Sequence, residues 1–136
     1  MKAVIDTNVV YAGLANRKGA AFKIFKRFYR KQFQWINSHQ TFSEYQGVLS
    51  VSEKISSTSL HIFLQLLRNR SIIVEITGGL VVCKDADDDK FLETAVAGEA
   101  DYLVTKNIKH SPRKSYQKVR IVKVSAFLKA LEKVFG

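Results

Sequence analysis

This chain of 136 residues holds one cysteine, Cys83, and one proline. A lone cysteine closes no internal disulfide, which excludes a disulfide-stapled scaffold and fits a reducing compartment. Cys83 itself reads as a small buried hydrophobe rather than a reactive thiol. With one proline, seven glycines and no repeat or low-complexity stretch, no linker is visible. Residues 1–136 therefore read as a single domain. No apolar run approaches the roughly 18–20 residues that span a bilayer. Only three apolar residues stand between Lys2 and Asp6, so no secretory leader is expected either. The expected location is cytoplasmic, without a membrane partner. No G-x-G-x-x-G follows an expected strand, which disfavours a dinucleotide enzyme. No Cys or His cluster has zinc spacing.

Acidic residues are scarce as well: 12 Asp and Glu against 22 Lys and Arg, a net charge of +10. Their distribution says more than their number. Seven of the fifteen residues over 17–31 are basic and none is acidic. Nine basic residues lie from Lys106 onward, opposed by Glu132 alone. Seven of the twelve acids fall between Asp85 and Asp101. A basic body with one acidic knot suits a polyanion partner and a local use for carboxylates. Solvated faces on a basic protein are the plainer reading.

What is present is an alternation of short apolar strands and amphipathic helices. "KAVI" is a strand that runs into Asp6. A helix is expected over residues 20–32, with Phe22, Phe25, Phe28 and Tyr29 on the core side. Its other side carries Lys23, Lys26, Arg27, Arg30 and Lys31, and only Ile24 blurs the division. "QWIN" is a second strand, followed by a helix capped by Ser38 or Thr41. "SSTSLHIFLQLLRNR" is another helix and "IIVEI" another strand. A helix through "KFLETAVAG" stops at Gly98. "DYLVT" and "RIVKV" are strands, and Ser125 caps a last helix. This order argues for an α/β fold, a central parallel sheet with helices on both faces. Such folds gather their sites at the carboxyl ends of strands.

Four polar residues stand at or near those ends: Asp6, Glu44, Asp88 and Asn107. Carboxylates brought to one pole repel each other unless a cation neutralises them. Hard dications such as Mg²⁺ and Mn²⁺ take oxygen ligands. Each residue has a plainer reading. Asp6 can cap a helix starting at Thr7, and Glu44 can be a solvated glutamate beside an apolar face. The "DADDD" run can be a helix start favoured by the dipole, and Asn107 a turn residue. Their joint occurrence at strand ends is what points to a site.

The stretches "VIDTNV", "FSEYQGVL", "DADDDKFLETAVAGEADYLVT" and "TKNIKHSP" resemble the PIN-domain family, in particular its bacterial VapC-type toxins. The resemblance implies a three-layer α/β/α sandwich around a parallel sheet of about five strands. It also implies a Mg²⁺- or Mn²⁺-dependent endoribonuclease, with Asp6, Glu44 and Asp88 as catalytic metal ligands. The fourth family acid falls at Asn107, where an amide replaces the carboxylate and puts a second metal in question. Asn8, Ser43, Asp85 and Thr105 match positions around the metal, and Asp87 and Asp89 are neighbours that could take part. Lys23, Lys26, Arg27, Arg30 and Lys106 are the candidate RNA contacts. Phe33 and Trp35 could stack on bases, although core packing is the stronger reading.

The implied reaction is hydrolysis of an RNA phosphodiester by a metal-activated water. The implied partners are the RNA substrate, a small antitoxin protein and a second copy of the chain. An RNA-binding module with a degenerate metal site, or a housekeeping RNA-processing nuclease, fits the same residues. An aspartyl-phosphate enzyme fits worse, since Asn8 stands where its second acid belongs.

Overall fold

The computed structural model describes residues 1–83, 85–106 and 114–136. Its first half comprises β1 (Lys2–Ile5), α1 (Thr7–Ala15), α2 (Ala20–Tyr29), β2 (Gln34–Asn37), α3 (His39–Leu49) and α4 (Ser57–Arg70). Then come β3 (Ile72–Ile73), α5 (Ala86–Ala97), β4 (Tyr102–Val104), β5 (Ser115–Tyr116), β6 (Val119–Val122) and α6 (Val124–Phe135). The strands form one sheet in the order β3-β2-β1-β4-β6-β5. All pairings are parallel except that of β5 with β6. No helix among the described residues is long and apolar enough to cross a membrane.

Alternation along β2 separates the two faces of the sheet. Trp35 is fully buried among the rings of Phe25, Phe28, Phe33 and Phe63. Phe127 of α6 packs on Phe33 to extend that layer. Its neighbour Ile36 turns the other way, against Gly98 at the end of α5. A side chain at Gly98 would collide with Ile36, so the glycine expected to stop this helix also lets it approach the sheet. Tyr45 of α3 and Phe91 of α5 fill that second layer. Phe33 and Trp35 are thus core residues and are not available to stack on bases.

Four expectations change. Among the described residues the sheet has six strands rather than about five, because β5 folds back on β6 through Gln117 and Lys118, both left-handed (φ 44° and 73°). A two-residue hairpin loop favours glycine or asparagine there, and with neither present no local signal marks the turn. Helix α2 stops at Tyr29, with Lys31 left-handed at φ 61°. Its buried stripe is Ala21, Ile24 and Phe28, so Ile24 belongs to the core while Tyr29 is 65% exposed. Helix α6 starts at Val124 with Lys123 as its cap, not Ser125. Strand β6 ends at Val122, which leaves one residue for the turn. Finally, "IIVEI" is a strand only over Ile72–Ile73, with Val74 N–H adding one bond to Asn37 O.

Candidate active site

Strand β1 lies inside the sheet, and the chain leaves it toward β2 on one side and β4 on the other. That is the switch in strand order where open α/β sheets leave a crevice. Asp6 sits on its rim. It caps α1, one carboxylate oxygen accepting from Val9 N–H at 3.2 Å. The other oxygen accepts a short hydrogen bond from the Thr105 hydroxyl, just past β4. The capping role and a place in the crevice therefore coexist. Asp6 is 5% exposed. Burial pushes its carboxyl above the ordinary carboxylate range, against the pull of the Thr105 and Val9 bonds, and the charge of Asp88 raises it further.

Helix α3 brings Glu44. Ser38 caps it and exchanges side-chain to backbone bonds with Thr41. The buried Tyr45 hydroxyl donates to Ile5 O, which fixes α3 to the end of β1. The adjacent Glu44 then faces the crevice. The Thr7 hydroxyl donates to Glu44 Oε2 at 2.7 Å, and Lys90 Nζ lies 3.2 Å from Oε1. Neither Thr7 nor Lys90 was singled out by sequence reasoning. Thr7 adjoins Asp6 and could have been; Lys90 carried no signal.

Helix α5 enters acid-first. Asp85 caps it, accepting from Asp87 N–H at 3.0 Å, and Asp87, Asp88 and Asp89 follow in the first turn. Acids there suit the positive end of the helix dipole. The five carboxylates of Asp6, Glu44, Asp85, Asp87 and Asp88 line one cavity of about 170 Å³, together with Thr7, Asn8, Val48 and Phe91. Asp89 turns away. Its Oδ1 accepts from Val82 and Cys83 N–H at 2.9 and 2.7 Å. Glu93, four residues on and so on the same helix face, accepts from Thr77, Gly78 and Leu80 N–H. Residual burial works upward on the Glu93 carboxyl, but these bonds and the Thr77 hydroxyl outweigh it and lower its pKa. Two acids of the knot are thus clasps for the irregular segment 74–83. Asp89→Ala strands two backbone N–H groups and is expected to cost about 2 kcal/mol, read as a lower urea midpoint. Asp89→Asn keeps an acceptor oxygen and should cost less; equal losses would count against the clasp.

The remaining candidates distribute as follows. Ser43 lines an adjoining pocket of about 390 Å³ with Glu44, Val48 and Lys90, not the acidic cavity. Asn107 lies outside the described residues. Lys23, Lys26, Arg27, Arg30 and Lys106 do not line the acidic cavity. Lys26 and Arg30, with Arg17, instead edge an apolar groove of about 600 Å³ walled by Phe22, Phe25, Phe63 and Leu66. Arg27 bonds Gln32 Oε1 at 2.8 Å.

The donor set fits a hard dication. It is all oxygen, and it holds a buried acid, Asp6, within reach of the charge of a second, Asp88. Among the described residues, no three acids or imidazoles yet stand close enough to form a ready ligand set.

Comparison with curated protein sequences gives no significant match. Among solved structures, the chain is similar to one in the crystal structure of VapBC2 from Rickettsia felis bound to a DNA fragment from their promoter. The TM-score is 0.57 at 20% identity, over 90% of this chain and 98% of that one, a likeness that concerns the fold. A PIN-domain family model matches residues 2–109, a span that contains β1, α3 and α5 with all five cavity acids. By that match over most of its length, the chain belongs to the PIN-domain family.

Proposed function

We propose that this protein is a metal-dependent endoribonuclease, the toxin of a toxin–antitoxin pair. The observation that carries the reading is the convergence of five carboxylates on one cavity at the switch in strand order. PIN domains are generally nucleases that use divalent ions. A bound Mg²⁺ or Mn²⁺ would supply charge against the phosphoryl oxygens and acidify a water. Asp6, Glu44 and Asp88 are the residues that would hold it. Thr105 and Val9 fix the Asp6 carboxylate, and Thr7 fixes Glu44, so neither ligand is free to turn away. No side-chain nucleophile is needed.

The similarity to a VapBC complex supports an antitoxin partner. The apolar groove edged by Arg17, Lys26 and Arg30 suits an amphipathic helix with acidic flanks. It lies near Leu14, six positions along α1 from Asn8 of the cavity, or about 9 Å at 1.5 Å per residue. One partner could therefore cover both.

The test is cleavage of labelled RNA across a Mn²⁺ titration. The wild type is expected to cut only with metal, leaving 5′-phosphate and 3′-hydroxyl ends. Asp88→Asn and Glu44→Gln should each lower the rate by about 10²-fold or more. RNA binding without cleavage at any metal concentration would point instead to a binding module with a degenerate site.

A further inference from the structure

The ion pairs within 4 Å between described residues all involve one lysine. Lys90 Nζ is 3.2 Å from Glu44 Oε1 and 3.8 Å from Asp87 Oδ1. In a chain this basic, most cations stand apart from acids, yet this one is set against two of the five carboxylates of the cavity. The setting is built rather than incidental. Glu44 is the more enclosed partner, its side chain 15% exposed, while Asp87 is 76% exposed. The Thr7 hydroxyl occupies the other Glu44 oxygen, so the carboxylate is held at both ends. Lys90 springs from the face of α5 that meets α3, and its own side chain is 28% exposed.

We propose that Lys90 is a positioning residue that stands in for the metal. Its ammonium holds Glu44 in the metal-free protein, and it competes with a dication for Glu44 Oε1. This rests on the metal-site reading given above. An ammonium and a dication on one carboxylate oxygen would stand a few ångströms apart in a partly buried setting, where like charges repel strongly. Metal binding therefore requires the ammonium to leave. The room exists: Lys90 also lines the adjoining pocket of about 390 Å³, beside Ser43 and Gly47. At Gly47 even a Cβ would meet nothing within 4 Å. A four-carbon stem can swing there without disturbing α5. Lys90 thereby sets both the resting geometry of Glu44 and the affinity of the site.

The experiment compares wild type, Lys90→Met and Lys90→Arg by Mn²⁺ calorimetry and by thermal melts with EDTA or Mn²⁺. Lys90→Met should bind Mn²⁺ about tenfold tighter, since removing a competing charge frees about one decade of affinity. Its metal-free melt should fall and its Mn²⁺-induced rise should exceed that of wild type. Lys90→Arg keeps the charge and should stay near wild type in both. A merely structural lysine would lower the melts of Lys90→Met without tightening Mn²⁺. Equal or weaker Mn²⁺ binding by Lys90→Met, with wild type binding normally, overturns the role of Lys90 alone. If wild type and Glu44→Gln bind Mn²⁺ alike or not at all, the metal site falls, and this role with it.

Discussion

Asp6→Asn should lower RNA cleavage by on the order of 10³-fold, through loss of a charged metal ligand, while melting no lower than wild type in the absence of metal. The first half follows from the place of Asp6 in the cavity and the second from its burial. Asparagine caps a helix about as well as aspartate, so the bond from Val9 N–H survives. The carboxylate itself is costly, since burial first and Asp88 in addition raise its pKa in the folded protein. The sign follows from linkage. Below the ordinary carboxylate range the acid is protonated folded and unfolded, and no penalty exists. As pH rises through the window between the unfolded and the raised folded pKa, the unfolded chain loses its proton first. Stability falls across that window, and the full penalty stands above it. The amide escapes this, so the variant should match wild type at a pH below the ordinary carboxylate range and melt at or above it near neutrality. Melts in EDTA at the two pH values check the stability, and labelled RNA with Mn²⁺ checks the activity. A variant that still cuts, or that unfolds well below wild type, would remove Asp6 from its assigned place.

Trp35→Ala is the largest stability effect expected. Trp35 is fully buried and ringed by Phe25, Phe28, Phe33 and Phe63. Truncating such a side chain costs about 3–5 kcal/mol, a large part of the 5–15 kcal/mol that typically holds a domain folded. The variant should show a greatly lowered urea midpoint or no cooperative transition. Trp35→Phe keeps ring packing and should lose less. Because Trp35 is the sole tryptophan, far-UV dichroism rather than indole fluorescence must follow the unfolding. A loss below about 1 kcal/mol would mean that this layer repacks freely, contrary to close-packed cores.

Much of the architecture was legible because the signals are local. β1 and β2 fall at "KAVI" and "QWIN" as the apolar runs suggest. Ser38 and Gly98 bound their helices through chemistry written within a few residues. Asp6, Glu44 and Asp88 were found from strand ends, and the structure brings all three to one cavity. What escaped depends on distant partners. Thr7 meets Glu44 across 37 positions and Lys90 meets it across 46. No periodicity reports such a pair. Asp89 was visible as an acid, but its partners are backbone N–H groups of Val82 and Cys83, which every residue but proline possesses. On α2 the expected rings divide: Phe25 and Phe28 meet the core at Trp35, while Tyr29 is exposed and Phe22 walls an open groove. Which rings the neighbouring helices cover is not written in the periodicity of α2.

The sheet is bordered on both sides by strands of two residues, β3 and β5. So short a border offers an incoming strand almost no ladder to extend. Fibril-like stacking through the sheet margin is thereby discouraged. Among the described residues the longer ordered surfaces are helical, where side chains rather than main-chain amides are presented.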